Sequence, residues 1–176
     1  LIASPIVAAT APADVVNMTD NNYDLYSFDQ NEEDEWQNYE EHGFSLSPMQ
    51  GYLYANSGKV TLKFTGAINP SNNNITVNNL GYTEGAEFKG WNLVGNPFMC
   101  NAYLTDGQRD FYVLNENGSE VVMATERAIA PLQGVFVKAT SGSDAITFSK
   151  EVAQSKGSVL NVNVIRKEAN VDVARV

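Results

Sequence analysis

The sequence predicts an all-β protein, an antiparallel β-sandwich built from two pseudo-symmetric repeats, with at most one short helix near residues 31–41. Three observations indicate this fold class. Short segments of alternating apolar and polar residues recur between Gly, Asn, Pro and Ser, whereas helical periodicity is nearly absent. Several sequence blocks occur twice in the same order. Apolar residues make up 43% of the 176 residues, which is enough for a packed interior.

The predicted strands follow one another closely along the chain. Residues 51–55 and 59–65 flank Asn56-Ser57-Gly58, a sequence typical of a hairpin turn. The strand at 91–95 ends at Asn96-Pro97, because proline cannot donate a ladder hydrogen bond. Further strands are predicted at 74–78, 110–114, 134–139 and 145–149, the last two pairing as a hairpin.

The one helical candidate spans residues 31–41. Acidic residues crowd its first turn, where they suit the positive end of a helix dipole. Trp36 and Tyr39 are three residues apart and would share a helix face. We therefore expect a short helix or turn that holds both aromatic side chains against the sheet.

The internal repeat is visible by direct comparison of the two halves. The matching blocks are 1–6 with 93–98, 23–26 with 109–112, 48–55 with 131–138, and 60–62 with 146–148. Each repeat would leave one face of its sheet apolar, and a pseudo-two-fold axis would let the two faces bury each other. The sequence thus predicts a sandwich module over residues 1–157.

Three boundaries follow from this comparison. Repeat one covers residues 1–88 and repeat two covers residues 89–150. Residues 158–176 have no counterpart and alternate in polarity, so they predict a C-terminal β-hairpin that forms the sandwich edge or begins the next domain. The chain starts without Met or a basic signal segment, so we expect a piece of a longer protein with an aromatic residue just before Leu1.

Charge is distributed unevenly along the chain. The net charge is −10, and the first 58 residues contain ten acidic residues and no Lys or Arg. Binding to nucleic acid is disfavoured, because phosphate contacts need a basic surface. No apolar run approaches the roughly 18 residues that span a bilayer, so membrane insertion is not expected.

Several blocks resemble C-terminal β-sandwich modules of large secreted or cell-surface proteins of Bacteroidetes. The most specific is Gly90-Trp91-Asn92-Leu93-Val94-Gly95-Asn96-Pro97-Phe98, and the others are 23–30, 35–39, 51–56 and 129–139. The resemblance implies an extracellular or outer-cell-surface location, often within a multidomain adhesin, peptidase or polysaccharide-handling protein. It supplies no catalytic residues.

The residues themselves do not predict an enzyme. His42 and Cys100 are the only residues of their types, so neither a zinc site nor a Ser/His/Asp triad with a Gly-x-Ser-x-Gly turn is present in the sequence. We interpret His42 as a surface residue and Cys100 as a small core residue. Acidic residues are too numerous for a carboxylate pair to indicate glycoside hydrolysis.

Calcium is the one metal that the sequence suggests. Asp20, Asn22 and Asp24 have the spacing of the first three ligands of a calcium loop. Position six of that loop would be Leu25 instead of Gly, and position twelve would be Asn31 instead of Glu. The alternative is an Asn/Asp turn before a strand. No other cofactor is expected.

The acidic stretch at 31–47 has no equivalent in repeat two, and aromatic side chains on a β-sandwich can stack on sugars. The candidate ligand-binding residues are Trp36, Tyr39, Glu35 and Glu40. A solvated loop is the alternative, and Trp91, Tyr52 and Tyr54 are interpreted as packing residues. We expect a non-catalytic, adhesin-like structural or interaction module, or else a carbohydrate-binding module accessory to a glycan-degrading enzyme or peptidase. Its partners would be neighbouring domains, a glycan or a host or surface protein.

Overall fold

The computed structural model describes residues 1–20, 22–69, 74–105 and 109–150, together with the backbone of two later strands. It confirms the all-β class, with eleven strands in three antiparallel sheets, a separate antiparallel pair of two later strands, and only short helical turns in the described ranges. The strands are β1 Ile2–Ala3, β2 Tyr23–Phe28, β3 Trp36–Asn38, β4 Gly51–Asn56, β5 Ile75–Val77, β6 Trp91–Gly95, β7 Ala102–Leu104, β8 Phe111–Leu114, β9 Val121–Met123, β10 Gly134–Lys138, β11 Ile146–Lys150, β12 Asn161–Arg166 and β13 Ala169–Arg175. The helical turns are a 3-10 turn at Pro12–Asp14 and α1 at Tyr39–His42.

The two repeats have the same sheet topology. The strand order is β1-β4-β2-β3 in repeat one and β6-β10-β8-β9 in repeat two. Strands that match in sequence therefore occupy matching places in their sheets. A third sheet, β5-β11-β7, packs against the sheet of repeat two and completes a sandwich there.

The pseudo-symmetry extends to single hydrogen bonds where the repeats meet. The Ala3 amide donates to the Leu132 carbonyl at 2.8 Å, and the Gly95 amide donates to the Met49 carbonyl at 2.7 Å. Ala3 matches Gly95 and Met49 matches Leu132 in the sequence comparison, so each of the two bonds is the equivalent of the other when the repeats are interchanged. Met49 and Leu132 also share an unusual backbone conformation, with φ of 64° and 61°. A pseudo-two-fold axis thus relates the two repeats at this contact.

Glycine is required beside this axis. A Cβ on Gly134 would lie 2.9 Å from the Ile2 carbonyl oxygen and 3.3 Å from the Cα of Gly51. Gly51 is the repeat-one equivalent of Gly134. The backbones of the two repeats approach so closely that a side chain at this position would push them apart.

Each repeat has its own buried cluster, which differs from the expected single core between two facing sheets. The cluster of repeat one is Val15, Met18, Leu25, Leu46 and Tyr52. The cluster of repeat two also takes in one residue from the range of repeat one, Leu80, and its members are Leu80, Val94, Phe98, Ala102, Leu104, Phe111, Ile129, Val135, Val137, Ala139, Ile146 and Phe148. The reason is that each repeat folds further chain over its own sheet.

Two predicted hairpins are wrong for the same reason. β4 is already paired with β1 and β2, so residues 59–65 do not form a partner strand and make a single bridge between Lys63 and Val16. β10 is likewise paired with β6 and β8, so β11 joins β5 and β7 instead. In both repeats the chain leaves the first sheet after its central strand.

The helix is shorter than residues 31–41 and lies at the end of that segment. Trp36 belongs to the edge strand β3, where it pairs with Phe28 of β2. Only Tyr39–His42 is helical, and the Asn38 side chain caps it by accepting from the Glu40 amide at 2.8 Å. Trp36 and Tyr39 therefore do not share a helix face, because strand pairing determines the backbone at Trp36.

The C-terminal segment contains two strands that pair with each other. β12 and β13 form an antiparallel pair with Asn161 opposite Arg175. Residues 167 and 168, which join the two strands, lie outside the described residues, so the predicted C-terminal hairpin stays a prediction. The proposed boundary between residues 157 and 158 lies outside the described residues.

Candidate functional site

The main candidate site is a cleft of about 370 Å³ between the two repeats. We call it the aromatic cleft. Its lining residues are Phe28, Glu35, Trp36, Phe88, Trp91, Tyr112, Val121 and Phe136. Six of these eight residues are aromatic, and both repeats contribute them.

The floor of the aromatic cleft is one face of the sheet of repeat two. Trp91, Phe136, Tyr112 and Val121 come one each from β6, β10, β8 and β9. Side chains alternate between the faces of a strand, so residues such as Val135 point the other way, into the core of repeat two. The same sheet therefore builds the core with one face and the cleft with the other.

The aromatic rings meet edge to face around Phe136. The centroid of its ring lies 5.0 Å from Phe28, 5.9 Å from Trp36 and 6.2 Å from Trp91, with interplanar angles of 85° to 87°. Trp91 also meets Tyr112 at 4.9 Å and 71°. Perpendicular packing of this kind is the favoured arrangement of aromatic pairs. It places rings around the cleft as walls at steep angles to one another.

Repeat one is held against the cleft by a buried glutamine. The Gln30 side chain is 5% exposed, and its Oε1 accepts from the Gly90 amide at 2.8 Å and from the Thr83 amide at 3.2 Å. Its Nε2 donates to the Trp91 carbonyl at 3.2 Å. Gln30 follows β2 and bonds to the start of β6, so it fixes the walls supplied by the two repeats relative to each other.

One carboxylate belongs to the lining of the aromatic cleft. Glu35 is half-buried, and its backbone carbonyl accepts from the Asp29 amide at 2.9 Å. Within the described ranges its carboxylate has no ion pair and no hydrogen bond to another side chain or backbone group. Among the described residues that line the cleft, Glu35 is thus the one charged group, and its negative charge is not paired with another described residue.

A second cleft adjoins the first across Phe28 and Trp91, which line both. This polar cleft has a volume of about 350 Å³. Its polar lining residues are Asp29, Gln30, Asn31, Gln50, Asn79 and Asn92. Some of these polar side chains already have hydrogen-bond partners within the protein. Asn92 accepts from the Gly81 amide at 2.7 Å and donates to the Gly81 carbonyl at 2.9 Å.

The structure separates the four predicted ligand-binding residues into two pairs. Trp36 and Glu35 line the aromatic cleft. Tyr39 packs on Phe44 at 5.3 Å beside the core of repeat one, and Glu40 is exposed on α1. Of the four residues, Trp36 and Glu35 are thus the two that line the aromatic cleft.

Sequence reasoning missed the contribution of repeat two. Trp91 was expected in the core, but it is half-buried and lines the cleft, as does Tyr112. The signal was the alternation of Val135, Phe136 and Val137, which places the aromatic ring opposite the two valines. The interpretation of Tyr52 as a packing residue is confirmed, since it is 1% exposed.

The hydroxyl of Tyr52 explains how a polar group is accommodated in the core of repeat one. It accepts from the Ser47 amide at 2.6 Å and donates to the Ser45 carbonyl at 3.1 Å. Burial raises the pKa of this hydroxyl above its ordinary value. Tyr52 is therefore a fixed structural residue and is not presented to a ligand.

Asp20, Asn22 and Asp24 lie at the start of β2, and all three are exposed. Backbone carbonyls in this turn hold the end of β4, since Ser57 donates to Asn22 at 3.1 Å and Asn56 donates to Asp20 at 3.2 Å. Among the described residues, no group of three or more His, Cys, Asp or Glu could hold a metal. Calcium binding by the Asp-Asn-Asp set stays a prediction.

The two residues considered for nucleophilic chemistry lie in different repeats. His42 has a side chain 53% exposed and lies 3.9 Å from the Glu41 carboxylate. Cys100 is a free thiol, partly buried against the core of repeat two. His42 lies at the surface, as expected from the sequence, whereas Cys100 was expected in the core and lies at its edge, only partly buried.

Comparisons with known proteins add no family to these observations. Protein-family models, curated proteins and solved structures each gave no match to the chain. In the part of the chain that the structure describes, no helix is long and apolar enough to cross a membrane. Function must therefore be inferred from the geometry of the site.

Proposed function

We propose that the chain is a non-catalytic interaction module of a larger secreted or cell-surface protein. Its two fused repeats act as a support that presents the aromatic cleft to a partner. The observation that carries this proposal is the cleft itself, in which half-buried aromatic rings from both repeats remain accessible. Concave sites lined by aromatic side chains are where proteins gain most binding energy per contact.

The contact between the repeats supports a role that needs a fixed geometry. Backbone hydrogen bonds cross between them in both directions, and Gln30 of repeat one is bonded to the Gly90 amide and the Trp91 carbonyl at the start of β6. A binding surface made from two halves keeps its shape only if the halves do not move apart. The resemblance to surface-protein modules of Bacteroidetes supports an extracellular location, with neighbouring domains, a glycan or a surface protein as the partner.

A carbohydrate-binding module is the second candidate, and one observation favours it. Trp36 and Trp91 both line an accessible cleft, and the amide-rich polar cleft adjoins it across Trp91. Sugars are commonly held by an aromatic ring on one face and by amide or carboxylate groups at their hydroxyls. The combination would serve a glycan-degrading enzyme or a peptidase to which the module is attached.

Binding arrays test the proposal and distinguish its two forms. The folded chain is applied to immobilised glycans and to immobilised surface and extracellular-matrix proteins, as wild type, Trp36→Ala and Trp36→Phe. We expect at least one target to be retained by wild type and Trp36→Phe and lost by Trp36→Ala, because the ring supplies the contact. Glycan targets would select the carbohydrate form and protein targets the adhesin-like form. Binding that Trp36→Ala leaves unchanged, or no binding at all, would contradict the proposal.

A further inference from the structure

We propose that the aromatic cleft binds a cationic alkylammonium group, such as a lysine or methylated lysine side chain on a basic segment of the partner. This inference rests on the proposed interaction function and names the chemistry of the ligand. It is drawn from the ring geometry, from the unpaired carboxylate and from the charge of the chain.

The first argument is the arrangement of the rings. Trp36, Phe136 and Phe28 are mutually inclined by 71° to 87°, as are Trp91 and its neighbours Tyr112 and Phe136. The rings pack edge to face on one another and together line the open space of the cleft from both repeats. A cation within about 6 Å of such ring faces is attracted by their quadrupoles. Aromatic cages of this type recognise quaternary ammonium and methyl-lysine groups.

The second argument is that a cation–π contact of this kind already exists beside the cleft, on the same face of the sheet. The Lys138 Nζ lies 5.4 Å from the centroid of the Trp91 ring. Lys138 lines an adjacent cleft and not the aromatic cleft, so it does not occupy the proposed site. Among the described residues, no cation faces the rings of Trp36 or Tyr112.

The third argument is the charge of the lining. Glu35 is the only charged residue of the cleft, and no described group neutralises its carboxylate. A neutral apolar ligand that covered this carboxylate would remove water from it without replacing the lost hydrogen bonds, which is costly. An ammonium group would both replace them and contact the rings. The remaining lining offers a sugar little besides this carboxylate and the Tyr112 hydroxyl.

The fourth argument is long-range complementarity. Glu35 ends an acidic run of exposed side chains at residues 32–34, within a first third of the chain that has no Lys or Arg. A field of one sign around a cleft raises the local concentration of ligands of opposite charge. A basic partner segment would be drawn to this side of the molecule, and anionic partners would be repelled.

Two ligands of the same shape, one charged and one neutral, separate the contribution of the positive charge to binding from the contribution of shape. The full chain is titrated with choline and with 3,3-dimethylbutan-1-ol, its neutral isostere, while heat and tryptophan fluorescence are followed. We expect choline to bind about fivefold more tightly or better, as a cation–π contact in a partly desolvated site requires. Glu35→Gln should reduce this preference, whereas Glu33→Gln, an exposed neighbour outside the cleft, should leave it unchanged. Trp36→Ala should weaken the binding of choline.

Equal or tighter binding of the isostere would overturn the inference, as would an effect of Glu33→Gln equal to that of Glu35→Gln. Absence of choline binding would overturn it as well. If a glycan or protein target of the arrays is still bound through Trp36 in any of these cases, only the assignment of the ligand fails and the interaction function stands. If no target is bound either, both fail.

Discussion

Repeat one and repeat two share a strand order but differ in the size of their buried clusters and in their charge. Both place their strands in the same sequence across a four-stranded sheet. The buried cluster of repeat one has five residues and that of repeat two has twelve. The acidic excess lies entirely in the first 58 residues. The comparison shows that the two repeats share a strand order while their side chains differ: Trp36 and Val121 hold equivalent places opposite Phe28 and Leu114, and only one of the two is aromatic.

Matched positions show the divergence at single residues. Ser4 and Asn96 are equivalent, and both are buried after the first strand of their repeat. The Ser4 hydroxyl accepts one hydrogen bond, from the Ile6 amide at 3.3 Å. The Asn96 side chain accepts from the Phe98 amide at 2.8 Å and also donates to the carbonyls of Cys100, Ile129 and Ala130. The segment after the first strand thus has more side-chain hydrogen bonds in repeat two than in repeat one.

The largest predicted effect breaks the contact between the repeats. In Gly95→Ala the new Cβ would lie 2.6 Å from the Gln50 carbonyl oxygen and against the Cβ of Ala3. Ala3 is the repeat-one equivalent of Gly95, so one of the two positions must be glycine. We expect the free energy of unfolding in urea to fall by about 3 kcal/mol or more.

Two variants control this measurement. Gly142→Ala adds a methyl group where nothing lies within 4 Å, and we expect a change of less than about 0.5 kcal/mol. Ala3→Gly combined with Gly95→Ala removes the side-chain clash but keeps the backbone clash, so it should recover only part of the loss. A Gly95→Ala protein as stable as the Gly142→Ala protein would refute the close approach of the repeats.

The next effect compares the equivalent residues Ser4 and Asn96. Asn96→Ala removes the acceptor of the buried Phe98 amide and three donated hydrogen bonds. The Ile129 and Ala130 carbonyls keep backbone partners, so we expect a loss of about 2 kcal/mol in unfolding free energy. Ser4→Ala removes one long hydrogen bond and should cost about 1 kcal/mol. Denaturant unfolding of both variants measures the difference, and equal losses would contradict the greater role of Asn96.

The smallest effect is an acid sensitivity confined to repeat two. Hydrogen bonds from Arg109, at 2.8 and 3.1 Å, lower the pKa of Asp144 from 3.8 to about 2. The ionised form is favoured in the folded state, so this stabilisation is present above pH 3.8 and is lost as the pH falls through about 2. We expect repeat two to lose on the order of 1 kcal/mol across this interval.

Hydrogen exchange at the amides of β10 and β4 would locate that loss. Asp144→Asn should remove the pH dependence at β10, where the Lys138 carbonyl also accepts from Arg109. Asp110→Asn is the matched control, because the exposed Asp110 pairs with Arg127 at 3.5 Å and both side chains are 53% exposed. A similar acid dependence at β4, or one that persists in Asp144→Asn, would contradict the assignment.

The fold was predictable to the extent that local patterns determine it. Alternation identified most strands, and the recurring Pro-x-Gln-Gly and Asp-x-Tyr blocks identified the duplication, because matched backbone geometry demands matched residues. The pairing of strands was not predictable from these signals. Whether 59–65 pairs with β4 depends on which strands already flank β4, and this is a property of the tertiary structure.

The site was predictable only in the half that repeat one supplies. Trp36 and Glu35 stood out because the acidic stretch is absent from repeat two. Tyr39 was grouped with Trp36 through helical spacing, which fails because Trp36 lies in a strand. Trp91 and Tyr112 belong to recurring blocks that suggest a core, and only the packing of the two sheets shows that their face is left partly uncovered.

The central claim is that residues of both repeats form one binding site, and the two tryptophans allow a direct test. The chain has only Trp36 and Trp91, one in each repeat, so the indole N–H resonances report on both walls of the cleft. They are assigned with Trp36→Phe and Trp91→Phe and followed in the wild-type chain during titration with choline. The account predicts that both resonances shift along a single binding curve with one midpoint. A shift of only one resonance, two different midpoints, or no shift of either would contradict it.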